Sequence, residues 1–83
     1  MSVRREGRVI HLEGECPVEE AETLAGLLEN GADWSVDLSL CRQAHTALIQ
    51  VLLRFRPDTQ GVPEDPFIRD LIAPALAAGG REP

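Results

Sequence analysis

The stretch from Trp34 to Phe55 changes its hydrophobic period once, and this change constrains the fold more than any other feature of the sequence. In Trp34–Leu40 apolar and polar residues alternate, which is the pattern of a strand with one buried face. From Ala44 the apolar residues recur at offsets 0, 3, 4, 7, 8 and 11, which is one face of an α-helix. A strand that leads through the short polar turn Cys41–Thr46 into an apolar helix predicts an α/β domain. The inward residues are expected to be Trp34, Val36, Leu38 and Leu40 on the strand, and Ala44, Ala47, Leu48, Val51, Leu52 and Phe55 on the helix.

The N-terminal residues predict a β-hairpin. Glu6-Gly7 lies between two short extended runs, and a glycine there supplies the positive φ of a tight turn. The second run, Arg8–Glu13, alternates, with Ile10 and Leu12 on one face.

Pro17–Asn30 has the pattern of an amphipathic helix. Proline suits the first helical position because its missing N–H would lack a partner there anyway. Asn30-Gly31 suits the other end because both residues tolerate the left-handed conformation. The apolar stripe consists of Val18, Ala21, Leu24, Ala25 and Leu28.

The residues after the central helix predict one more helix. Pro57 ends the central helix, and Asp58–Asp65 is polar with no convincing strand beyond a short remnant near Gln60–Val62. Asp65 is the expected cap of a last helix, which Pro74 should kink or split. The stripe of this helix is Ile68, Leu71, Ile72, Ala75 and Leu76.

The composition indicates one domain over residues 1–83 and excludes several functions. The formal charge of −6 opposes nucleic-acid binding, which needs a basic face toward the phosphates. No apolar run approaches the ~20 residues that span a bilayer, so we expect no membrane insertion. The N-terminus lacks the apolar stretch of a signal peptide, and we therefore expect a cytoplasmic protein.

The cysteines and histidines raise the hypothesis of a small thiol- or metal-dependent protein. Cys41 and His45 are four residues apart, which suits two ligands on one helical turn or a thiol activated by imidazole at a helix start. Neither His11 nor Cys16 adds a recognised metal-binding spacing, so we expect no metal, no cofactor and two buried thiols. The thiol or metal protein stays an alternative to a binding module.

The central helix carries more apolar residues than one stripe needs. Ile49 and Leu53 lie about 100° or more from the centre of that stripe. They are buried either under the third helix of the same domain or in an interface with another chain. A short sheet also leaves an unpaired strand edge, which tends to recruit another chain. We therefore expect a homodimer, with Ile49 and Leu53 as candidate interface residues.

Thr46 stands where the turn enters the central helix. A hydroxyl at that position can cap the helix by accepting from a free backbone N–H. The same position suits a phosphate, since the free N–H groups and the helix dipole favour an anion.

Four segments follow one another in an order that resembles a known family. They are Arg8–Cys16 (RVIHLEGEC), Ala21–Leu24 (AETL), Val36–Cys41 (VDLSLC) and His45–Leu53 (HTALIQVLL). Together they look like a shortened, divergent STAS domain, the domain of anti-sigma factor antagonists and sulfate-transporter tails. The resemblance implies a STAS-like α/β fold over 1–83, in which a small mixed sheet of three or four strands packs against about three helices.

The resemblance also implies a function and a site. The family's next helix opens with Asp-Ser-Ser/Thr-Gly-Leu. The best register puts Thr46 at the phosphorylatable hydroxyl, Ala47 at the Gly and Leu48 at the Leu, whereas Ala44-His45 replaces the Asp-Ser pair. Thr46 is then the phosphoacceptor candidate of a non-catalytic protein–protein interaction module in bacterial signalling. A regulatory protein, either anti-sigma or kinase-like or a transporter-complex subunit, is the expected partner. A nucleotide-binding regulator is compatible with the family, but no glycine-rich phosphate loop is present. The partner-binding candidates are Arg42, Gln43, His45, Thr46 and Gln50.

Overall fold

Six strands, three α-helices and a π-helical segment lie within residues 3–30 and 33–79, the part of the chain that this computed structural model describes. The elements are β1 (Val3–Glu6), β2 (Val9–Leu12), β3 (Gly14–Cys16), α1 (Glu20–Glu29), β4 (Ser35–Asp37), β5 (Cys41–Ala44), α2 (Thr46–Phe55), β6 (Asp58–Gln60), a π-helical segment (Ile68–Ile72) and α3 (Ala73–Gly79). The α/β class predicted from the sequence is confirmed. None of the helices in these two ranges is long and apolar enough to cross a membrane.

Two sheets form, and their strands pair in chain order. The larger sheet has the order β1-β2-β4-β6, with β1 antiparallel to β2 and the other neighbours parallel. The smaller sheet is the parallel pair β3–β5. The predicted hairpin is confirmed: Glu6 pairs with Val9 around a two-residue turn, in which Gly7 has a φ of 61°.

One hydrophobic core lies between the sheets and the helices. Ile10 and Val36 are paired neighbours on β2 and β4, and neither is exposed to solvent. The apolar helix α2 adds Leu48, Ile49 and Leu52 to the same buried cluster. Burial of each large apolar side chain contributes about 1.5–3 kcal/mol. The largest fully buried side chains are Ile10, Leu12, Leu24, Val36, Leu38, Cys41, Leu48 and Leu52.

The predicted strand Trp34–Leu40 is shorter in the structure, and the predicted turn after it contains a strand. β4 ends at Asp37 because the Asp37 carboxylate accepts from the backbone N–H and the hydroxyl of Ser39, at 2.9 and 2.8 Å. Such a side-chain turn competes with the strand ladder. Leu40, predicted to be inward, is therefore 59% exposed, and Cys41–Ala44 is the strand β5.

The helix predicted over Pro17–Asn30 begins three residues later. Pro17 and Val18 accept backbone hydrogen bonds in the turn that precedes α1, and Val18 is exposed rather than part of the buried stripe. At the other end Asn30 has a φ of −91°, so Asn30 is not the left-handed residue that the Asn30-Gly31 pair was predicted to supply. Gly31 lies outside the described residues.

A strand, β6, occupies Asp58–Gln60, where the sequence predicted at most a short remnant near Gln60–Val62. Arg56 ends α2 in the left-handed conformation, with φ 49° and ψ 55°, and the chain turns there toward β4. Backbone pairing then includes Leu38 N–H donating to the Gln60 carbonyl at 2.9 Å. Backbone hydrogen bonds to β4 hold this three-residue edge strand in place, so its sequence needs no alternating pattern.

The C-terminal helical run begins as predicted but follows a different face. Asp65 caps it, since its carboxylate accepts from the backbone N–H of Phe67 at 2.7 Å. The next turn is π-helical, and Ala73 N–H donates to the carbonyl of Ile68 immediately before Pro74, which has no N–H. The wider turn leaves Leu71 60% exposed, so its predicted inward position is wrong. The buried residues are Ile68, Ile72 and Leu76.

Candidate functional site

The junction between β5 and α2 brings together four of the five predicted partner-binding residues. Arg42 and Gln43 are exposed on β5, while His45 and Thr46 are exposed where α2 begins. Gln50 is exposed one helical turn further along α2. The junction over residues 42–46, called here the recognition turn, therefore presents a run of polar side chains at the end of the small sheet.

Arg42 occupies an irregular position in that sheet. Gly14 pairs with Cys41 and Glu15 pairs with Gln43, so Arg42 is the extra residue of a β-bulge. A bulge bends the strand and changes the direction of a side chain, and bulges are common beside functional sites. Because of it, buried Cys41 and partly buried Ala44 lie on the inner side of β5, while Arg42 and Gln43 are exposed.

His45, rather than Thr46, caps α2. The Nδ1 atom of His45 accepts from the backbone N–H of Ala47 at 3.0 Å, while His45 itself has an extended backbone. An accepting Nδ1 carries no proton, so a neutral ring holds its proton on Nε2. Capping by the Thr46 hydroxyl was one prediction, and it is wrong; Thr46 is the exposed first residue of the helix.

A cavity of about 300 Å³ lies beside the recognition turn. Its position is held by the backbone, since His45 N–H donates to the carbonyl of Cys16 at 2.9 Å and thereby ties the turn to β3. The lining residues are Glu15, Cys16, Pro17, Gln43, Ala44 and His45. Two of the predicted partner-binding residues, Gln43 and His45, thus share a concave site with a carboxylate and a thiol.

Gln50 belongs to a different depression, of about 360 Å³, between α1 and α2. It is lined by Ala21, Glu22, Ala25, Ala47, Gln50, Val51 and Arg54. The two candidate interface residues do not line it. Ile49 is 9% exposed within the single chain, and Leu53 is partly buried against the same core.

The Cys41–His45 pair does not have the geometry of an activated thiol. Cys41 begins β5 instead of standing at the start of a helix, and it is fully buried, whereas His45 is exposed. A hydrogen bond with the Cys16 thiol, together with burial, strongly raises the pKa of the Cys41 thiol. The lowered pKa that the sequence suggested for this thiol is wrong, because β5 carries Cys41 into the core.

A polar network on the outer face of the main sheet was not predicted from the sequence. His11 on β2 is paired with Asp37 on β4, and its Nδ1 lies 3.1 Å from the Asp37 carboxylate. The other ring nitrogen, Nε2, lies 3.2 Å from the carboxylate of Glu6. The alternation of both strands did place His11 and Asp37 opposite their buried faces; the missing information was which strands are neighbours.

This network contains serine, aspartate and histidine, but its connections are structural. The Ser39 hydroxyl donates to Asp37, and no hydrogen bond joins it to His11 among the described residues. A nucleophilic serine needs a neighbouring base that accepts its proton. The neighbour of Ser39 is the Asp37 carboxylate, which is stabilised as an anion and so is a weak base. Hydrogen bonds from the backbone and hydroxyl of Ser39, with the nearby His11, lower the pKa of Asp37. The network therefore stabilises the end of β4.

Residues 3–30 and 33–79 contain no group of three or more His, Cys, Asp or Glu side chains arranged to hold a metal ion. His11 is engaged by two carboxylates, and Cys16 and Cys41 are buried thiols.

Comparison with protein-family models, with curated proteins and with solved structures finds no match to this chain.

Proposed function

We propose that the chain is a non-catalytic protein–protein interaction module of bacterial signalling, similar to an anti-sigma factor antagonist. We further propose that its partner contacts the recognition turn. The observation that carries the proposal is the run of exposed polar side chains at residues 42, 43, 45 and 46, beside a cavity of about 300 Å³. Binding residues are typically found on such a junction, which rigid elements hold from both sides.

The backbone of the recognition turn is held before any partner arrives. The His45 side chain caps α2, and the His45 N–H is bonded to Cys16 of β3. Preorganisation lowers the entropic cost of binding, because less of the surface has to be ordered. Arg42 supplies a guanidinium with five donors and Gln43 an amide with both a donor and an acceptor, which suits a polar or anionic protein surface.

The sequence order that resembles the STAS family supports the same surface. Thr46, at the position that matches the family's phosphorylatable hydroxyl, is exposed at the first position of a ten-residue helix. A phosphate there would lie at the positive end of the helix dipole, which favours an anion. We propose that phosphorylation of Thr46 controls binding by adding charge to the recognition turn. The expected partner is a regulatory protein of the anti-sigma or kinase-like type, or a transporter-complex subunit.

One capture experiment tests both parts. The purified chain is incubated with bacterial extract and ATP and recovered, and the co-purified proteins and the intact mass of the chain are measured together. We expect one regulatory protein to be enriched, and its recovery to fall at least tenfold when Arg42→Ala and His45→Asn are combined. Asparagine at position 45 can still cap α2, so this loss would report the surface rather than unfolding.

The controls are chosen to match the variants in chemistry. Thr46→Ala should abolish an added phosphate, whereas Thr23→Ala, at an exposed position of α1, should leave it in place. Glu64→Gln combined with Arg69→Ala, at exposed positions after β6, should retain the partner. Equal recovery by the turn variant and this control would contradict the proposed surface. An unmodified mass would contradict the phosphorylation alone.

A further inference from the structure

The cavity beside the recognition turn lies at one end of the small parallel sheet. β3 ends at Cys16 and β5 ends at Ala44, and both residues line this cavity of about 300 Å³. Because the two strands are parallel, the cavity lies at the carboxyl ends of both, where α/β sheets commonly bind their ligands. The residues that line it indicate which chemical group it can take.

The lining combines apolar surface with two free polar side chains. Cys16 and Ala44, which are buried and partly buried, supply the apolar surface together with the ring of Pro17. Glu15 and Gln43 are paired in the register of β3 and β5, and both are exposed. Neighbouring strands are about 4.8 Å apart, so a carboxylate and an amide lie side by side at the cavity. Within residues 3–30 and 33–79, no hydrogen bond or ion pair engages either side chain.

The charge around the cavity is negative on the β3 side. Residues 13–22 contain five glutamates and no arginine or lysine. Glu13 is paired with Arg4 at 2.7 Å, whereas Glu15 has no such partner among the described residues. Arg42 is exposed nearby but does not line the cavity. A cationic group therefore complements this cavity, and an anionic group does not.

We propose that the cavity binds an arginine side chain of the partner protein, an inference that rests on the function proposed above. The methylene stem of the arginine packs on Pro17 and Ala44, and its guanidinium donates to Glu15 and Gln43. A planar guanidinium has five donors in a fixed fork, so it reaches two neighbouring acceptors better than the compact ammonium of lysine does. The arginine is thus the anchor of the interface, and the recognition turn contacts the residues around it.

Capped amino acids test the chemistry of the cavity without the partner. The full chain, labelled with ¹⁵N, is titrated with N-acetyl-arginine amide, and the backbone amide signals of Gln43 and His45 are followed by NMR. We expect saturable shifts with a dissociation constant on the order of 1 mM, which suits a ligand of this size. The matching citrulline derivative has nearly the same shape but no charge, and it should bind about threefold more weakly, as for a partly exposed ion pair.

Two variants assign the binding to the carboxylate in the cavity. Glu15→Gln should weaken binding of the arginine probe about threefold, whereas Glu29→Gln, at an exposed position at the end of α1, should leave it unchanged. Equal effects of the two substitutions would overturn the inference. Equal affinity for the arginine and citrulline probes would overturn it as well, even if Glu15→Gln failed to fold.

The capture experiment described above separates this inference from the proposed function. Recovery of the partner should fall at least threefold with Glu15→Gln, and unchanged recovery would overturn the inference. A captured regulatory protein together with no binding of the arginine probe would contradict the inference alone. Binding of the probe without any captured regulatory protein would contradict the proposed function and leave the cavity as an arginine-binding site.

Discussion

At the level of single residues, Gly61 is the position at which the backbone leaves least freedom. Gly61 follows β6 and has a φ of 85°, a conformation that side chains disfavour. A Cβ atom there would lie 2.7 Å from the Asp37 carboxylate and 2.8 Å from the backbone nitrogen of Ser39. Gly61 therefore lies directly on the turn that ends β4, and the same carboxylate belongs to the His11 network.

We expect Gly61→Ala to lower the free energy of unfolding by about 2–4 kcal/mol, because strain at positive φ adds to a clash with fixed backbone. Urea denaturation followed by circular dichroism measures this change. Gly26→Ala is the matched control, since its Cβ would meet nothing within 4 Å and α1 would gain about 0.5–1 kcal/mol. Equal effects of the two substitutions would show that the Gly61 contact is not maintained in solution.

At the level of elements, the start of α2 determines how the recognition turn is presented. The helix carries no acidic residue in its first turn, so the His45 cap is its main N-terminal stabilisation among the described contacts. A strand, a bulge, a cap and a helix follow one another within six residues, from Cys41 to Thr46. The position of each exposed side chain in the turn depends on this local order.

We expect His45→Ala to lower the free energy of unfolding by about 1 kcal/mol, because the Ala47 N–H loses its acceptor. His45→Asn should remain within about 0.5 kcal/mol of the wild type, because the asparagine side chain accepts the same bond. Thermal unfolding of the three proteins at pH 7 is the measurement. Identical stability of all three would mean that water replaces the histidine cap without cost.

At the level of the whole molecule, the question is whether Ile49 belongs to the core of the single chain or to an interface between two chains. Its 9% exposure in the single chain and its place in the hydrophobic core indicate that most of its surface is already covered. The homodimer stays a prediction. It now rests on β1 and β6, each of which has only one neighbouring strand in the described sheet. Light scattering at high micromolar concentration gives the mass directly, and a monomer mass would exclude the dimer.

We expect Ile49→Ala to cost about 2–4 kcal/mol of stability, because it removes buried methyl groups and leaves a cavity. The loss should be the same at low and high protein concentration. An interface residue would instead make the difference between variant and wild type depend on concentration, because dimerisation is linked to folding. Leu71→Ala, at a position that is 60% exposed, is the control and should change stability by less than about 1 kcal/mol.

The sequence alone determined the elements that local physics controls. The change of period between residues 34 and 55 predicted a strand followed by the apolar helix α2, and Glu6-Gly7 predicted the hairpin. The sequence identified Asp65 as a cap because a capping aspartate accepts from a backbone N–H only two or three residues further along the chain. The α/β class follows from these patterns, as does the position of the exposed residues Arg42, Gln43, His45 and Thr46 between two elements.

Only the tertiary structure decided which distant residues meet. β5 and β6 are strands because β3 and β4 provide their backbone partners, and their own sequences carry no alternating pattern. The contact between His11 and Asp37 depends on the parallel pairing of β2 with β4, and the alignment of Glu15 with Gln43 depends on the bulge in β5. The register between strands that lie far apart along the chain is set by the whole core, so no local pattern contains it.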